Sequence, residues 1–159
     1  MFVSRTQSLA RSLIRHYRMI NLRHHSLVAW QRADDLFIKL HKLALQSFPP
    51  IERFELSSQL RRAAYSVAAN IVEGYGRRHP KDRLKFLNIA EASLAEVSYC
   101  VHAAWRLGYI TEELRRSLED DLNGVGAPLA GLIRSIRISN AVATTTVAIV
   151  SVTAYLVFV

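Results

Sequence analysis

The amino-acid sequence predicts an all-α fold, an antiparallel four-helix up-and-down bundle, and three observations predict it. Apolar residues recur at helical period through most of the chain. Within 81–107, three sets of residues repeat every seven positions: Leu87, Leu94 and Val101; Phe86, Ser93 and Cys100; Ala90, Val97 and Ala104. Most of the helix-breaking residues sit at three joints, Pro49-Pro50, the stretch from Gly74 to Pro80, and Gly108. With 159 residues the chain is long enough for one domain with a core and short for two. The solitary Cys100 excludes an internal disulfide and suits a reducing compartment.

The first helix is expected from about Ser26, a residue type suited to the N-cap, to Phe48, where Pro49-Pro50 stops it. Trp30, Ala33, Phe37, Leu40 and Ala44 give its inward stripe. The second is expected from Ser57 to Glu73, with Gly74 and Gly76 in the left-handed conformation that ends helices. It separates into two faces. Leu56, Leu60, Ala64, Val67 and Ile71 form one apolar stripe, while Gln59, Arg62, Ser66, Asn70, Glu73 and Arg77 form a continuous polar ladder. Between them lie Arg61, Tyr65, Ala68, Val72 and Tyr75. Apolar or aromatic character thus covers more than the stripe of about 100° that a single core requires, so this helix should have two packing partners.

His79-Pro80 introduces a third helix, Lys81 to Leu107, about 40 Å long at 1.5 Å per residue. Its seven-residue repeat implies shallow left-handed packing. Gly108 breaks the chain, and Thr111 followed by Glu112 and Glu113 supplies a cap and favourable charge for the fourth helix. That helix carries Leu114, Leu118, Leu122, Val125, Leu129, Leu132 and Ile136. Gly124, Gly126 and Pro128 interrupt it, and a kink or break is expected there, because an interior proline costs about 3 kcal/mol.

The order and spacing of Gln59, Arg62, Ala63, Ser66, Asn70, Glu73, Gly74 and Arg77 resemble the central signature of the four-helix-bundle family found as reading frames within intervening sequences of bacterial 23S ribosomal RNA genes. That family is itself similar to the accessory variability determinant of diversity-generating retroelements. The resemblance extends upstream through Leu27 to Ala33, Phe48-Pro49, Glu52 and Phe54, and downstream through Phe86 to Ala90, Ser93 to Glu96 and Leu107 to Ile110. It covers about 27–137. It implies a bacterial cytoplasmic protein, a continuous final helix, a homo-oligomer, specifically a pentamer, and a partner resembling a reverse transcriptase. Arg61, Tyr65 and Val72 are the expected oligomer contacts.

The net charge of +8 is unevenly placed. Arg5, Arg11, Arg15, Arg18 and Arg23 lie in the first 26 residues with no acid, so the remainder is only mildly basic. Residues 1–25 form a basic N-terminal extension, 26–137 the bundle and 138–159 an uncharged apolar tail. The extension has the composition of a transit peptide or a basic arm; the plainer reading is that residues 1–18, ahead of Met19, are an upstream start-codon error or a lineage-specific extension. For the tail three readings stand together: a tail anchor in the inner membrane through 141–159, a strand favoured by its many β-branched residues, or an extension from an altered stop codon.

The six histidines form no metal-ligand set, and no phosphate loop or nucleophile elbow is present, so neither a catalytic residue, a metal nor a cofactor is expected. A non-enzymatic role follows. The residues suited to contact RNA or DNA are Arg77, Arg78, Lys81, Arg83 and Lys85 around the second joint, with Tyr75 beside them for stacking on a base. The competing reading is a membrane-tethered or purely structural scaffold.

Overall fold

The computed structural model describes the backbone of residues 23–158, and the side chains there except at positions 23, 143, 144 and 147–158. After a 3-10 turn at Arg23–Ser26 come four helices: α1 (Val28–Gln46), α2 (Leu56–Gly76), α3 (Pro80–Arg106) and α4 (Glu112–Phe158). A second 3-10 turn, Pro50–Arg53, links α1 to α2. Each helix packs on its sequence neighbours, and α4 returns to α1, which closes an up-and-down bundle. The basic extension 1–22 lies outside the described residues.

The core follows the sequence periodicity. Ala29, Ala33, Leu36, Leu40 and Ala44 are buried from α1, with Trp30 and Phe37 packed against them at its edge. Leu60, Ala64, Val67 and Ile71 are buried from α2, and Leu56 joins them in part. All of Ala90, Val97 and Ala104 are buried on α3, as are Leu118, Leu122, Val125, Leu129 and Ile133 on α4. Helix α2 packs on both α1 and α3, which accounts within one chain for much of its wide apolar arc. Cys100 is buried, and that burial, with Glu96 nearby, pushes its thiol up to about 11.

Four expectations are corrected. Ser26 does not cap α1; it belongs to the preceding 3-10 turn, and extended Leu27 stands at the N-cap. Gly74 and Gly76 lie inside α2, which runs on to Gly76, and among the described residues only Gly108 has positive φ, +76°. Gly74 is needed for closeness instead. A Cβ there would lie 3.1 Å from the Arg83 carbonyl oxygen and 3.3 Å from both Leu87 Cγ and Phe86 Cβ.

No break occurs at Pro128. Helix α4 runs through it, losing one backbone hydrogen bond to Gly124, because Val125 and Leu129 on either side are fully buried and hold the helix in place. The tail is likewise helical through Phe158 rather than a strand. Among the described residues no helix is long and apolar enough to cross a membrane, and the tail side chains from position 147 on lie outside the described set.

The loop end is fastened by Glu52. One carboxylate oxygen accepts the Tyr109 hydroxyl proton at 2.8 Å and the other accepts the Leu56 backbone N–H at 3.1 Å. The first bond joins the α1–α2 loop to the α3–α4 loop, and the second satisfies an orphan amide at the start of α2. Phe48 packs its ring 5.5 Å from that of Tyr109 beneath them. The bond to Glu52 raises the Tyr109 hydroxyl above its ordinary value. At the start of α4, Thr111 Oγ1 accepts the Leu114 amide, as the cap expectation required.

Candidate nucleic-acid interface

The polar ladder of α2 is satisfied in three successive pairs. Arg62 donates to Gln59 at 2.9 Å, Asn70 donates to both the Ser66 carbonyl and its hydroxyl, and Arg77 pairs with Glu73. Ser66 and the buried Ser93 of α3 share a hydrogen bond of 2.8 Å, so the ladder also fastens two helices together. All six of its members thus have structural partners. Only Ser66 and Asn70 are partly buried, beside the buried Ser93, where polar groups require such bonding; Gln59, Arg62, Glu73 and Arg77 are exposed.

The basic residues divide into two groups. Arg77 is committed: its guanidinium pairs with Glu73 and sits 4.8 Å from the centre of the Phe86 ring. Arg83 donates from Nε to the Arg77 carbonyl at 2.7 Å, occupying one of the carbonyls left free at the end of α2. Arg78, Lys81 and Lys85 are exposed, and Arg78 and Lys81 form no ion pair or hydrogen bond among the described residues. Lys85 approaches the Phe86 ring at 6.0 Å. These three cations surround the N-terminus of α3, whose first turn begins with Pro80 and has no side-chain cap.

Beside them opens a cavity of about 330 Å³ between the α2–α3 turn and α4. Pro80, Leu87, Leu132 and Ile136 make its apolar wall, and Tyr75 stands at its side. Arg83, Ser135, Ser139 and Asn140 supply polar edges, and Gly74 forms part of the floor. The sequence pattern marks Leu132 and Ile136 only as part of an apolar stripe, although 132, 135, 136, 139 and 140 follow the 3–4 spacing of one helical face. The expected boundary after 137 sets Ser139 and Asn140 apart from the rest of that face. In the structure that boundary falls inside a continuous helix.

The three residues expected as oligomer contacts differ in exposure. Tyr65 is 61% exposed, with its ring edge-on to Phe37 at 5.7 Å, and Val72 is half-buried. Arg61 is occupied within its own chain, donating to the Ser57 and Arg53 carbonyls. Among the described residues there is no group of three or more His, Cys, Asp or Glu side chains placed to hold a metal.

A closed up-and-down bundle with a basic turn beside an open cavity defines the class: a small four-helix-bundle protein whose distinctive surface lies at one end. The chain belongs to the 23S rRNA-intervening sequence protein family, whose pattern it matches over residues 25–131. Its fold is similar to the crystal structure of a protein of unknown function from the S23 ribosomal protein family of Bacteroides thetaiotaomicron. The TM-score is 0.63 at 25% identity, over 67% of this chain and 96% of that one. No curated protein matches it.

Proposed function

We propose that this protein is a non-enzymatic, self-assembling bundle that binds RNA, alone or within a ribonucleoprotein, through the turn between α2 and α3. The observation that carries the reading is the exposure of Arg78, Lys81 and Lys85 around one helix N-terminus, next to an aromatic residue and a cavity. Membership of a family named for ribosomal RNA intervening sequences supports the choice of RNA. Arg77 and Arg83 shape the turn, while the three exposed cations meet phosphate.

The test is binding of the full chain to single-stranded RNA over a salt series. Each phosphate contact to a single strand contributes about 0.7 to the slope of log affinity against log salt. Changing Arg78, Lys81 and Lys85 together to Ala should therefore lower the slope by about 2. An unchanged slope, or no binding at 50 mM salt, rejects the interface.

Self-assembly has its own check. Tyr65 leaves a large aromatic surface in water at mid-helix, with Phe37 partly exposed beside it. Tyr65→Glu should reduce the particle mass by light scattering without lowering helicity. A wild-type monomer removes this half of the proposal.

A further inference from the structure

We infer that the cavity between the α2–α3 turn and α4 takes one unpaired nucleobase of a single-stranded RNA, while Arg78, Lys81 and Lys85 hold the flanking phosphates. The inference rests on the RNA-binding reading and specifies what that site selects. Size is the first argument. A cavity of about 330 Å³ stands at the low end of the ~300–1,000 Å³ range of small-ligand sites, so its occupant is about one nucleotide and no larger segment.

Wall chemistry is the second. A base needs apolar surface for its faces and hydrogen-bonding groups for its edge. Leu87, Leu132 and Ile136 give the former, and Tyr75 adds a ring for stacking. Ser135 and Ser139 donate their hydroxyl protons to the Leu132 and Ser135 carbonyls, so their oxygens still accept from a base N–H. Arg83 uses only Nε on the Arg77 carbonyl, leaving donors for a base carbonyl or a phosphate.

Placement is the third argument. Pro80 is both the first residue of α3 and part of the cavity wall, which puts the positive end of that helix dipole at the mouth. Lys81 follows it directly. A strand tracking across the exposed cations therefore passes the opening, and turning one base inward leaves its phosphates among them. Paired RNA has no base free to enter, so the site selects loops, bulges or single strands.

The experiment uses the full chain and a ten-nucleotide oligouridylate, whose bases stack weakly, carrying 2-aminopurine at its centre, a matching oligomer with an abasic centre, and the 2-aminopurine strand in a duplex. Fluorescence of the bound 2-aminopurine should be quenched, and the abasic strand should bind roughly tenfold more weakly. Duplex RNA should give no quenching. Ser135→Phe, at an exposed position on the rim, should fill the cavity and abolish the quenching while the salt slope stays as in the wild type.

Tyr75→Ala provides a second variant with the same expected loss, and circular dichroism confirms folding of both. If the strands bind with the expected salt slope but the abasic oligomer binds equally well, the nucleobase site is overturned and the phosphate interface stands. If no strand binds, both fall together.

Discussion

Gly74→Val should destabilise the bundle by about 1–3 kcal/mol, the usual cost of forcing methyl groups into filled space. Gly76→Ala, two residues further along the same helix, should stabilise it by up to about 1 kcal/mol. The two glycines look alike in sequence, yet their surroundings are opposite. A Cβ at Gly74 meets the Arg83 backbone carbonyl at 3.1 Å, and backbone cannot swing aside as a long side chain can. The helices α2 and α3 must then part at the turn, taking Arg83 and the cavity wall with them. At Gly76 nothing lies within 4 Å and φ is not positive, so alanine gains helix propensity at no steric cost. Urea unfolding of the two variants checks the difference in sign. Equal effects at the two positions would show that helix propensity, and not closeness, governs Gly74.

Ile71→Ala should cost about 2–5 kcal/mol and lower Tm by roughly 5–15 °C. Ile71 has no exposed surface, and it belongs to the core shared by α2 with its two neighbours. Truncation leaves a void that close-packed helices fill only in part. Because small domains are stable by about 5–15 kcal/mol, the loss is a large share of the total. Calorimetry on the full chain measures it, and a change below 1 kcal/mol would mean that the bundle repacks freely around this position.

Periodicity revealed most of this fold because burial acts on side chains at fixed helical spacing. The stripe from Leu60 to Ile71 and the repeats from Leu87 to Ala104 are buried much as written. The reason for Gly74 lies on another helix, at Arg83 and Phe86, which no local pattern around position 74 announces. The helix runs unbroken through Pro128 for a related reason. Its cost is local and visible, whereas the packing that offsets it is contributed by the whole of α4.

The candidate site was half legible. Clustered cations and a nearby Tyr75 stand out in a short stretch of sequence. Which cations are already engaged depends on Glu73, Phe86 and the Arg77 carbonyl, and the cavity depends on α4 returning more than fifty residues later. Glu52 shows the same limit: its place in the loop was noted, but its hydrogen bond to Tyr109 spans 57 positions.

The seam between α1 and α4 has a bearing on how the chain comes to be folded. Lys39 meets Asp121 across it at 2.6 Å, 82 positions apart, whereas Ser66 and Ser93 join α2 to α3 over only 27. Closing the longer loop costs about 1 kcal/mol more in chain entropy, and contacts of longer range form more slowly. Pulsed amide exchange during refolding should accordingly protect α2 and α3 before α1, and simultaneous protection of all four helices would contradict that order. On the ribosome the consequence is sharper, because α4 is made last. The first of the four helices to leave the tunnel can pack on α2 at once, but its seam with the final helix stays open until α4 arrives.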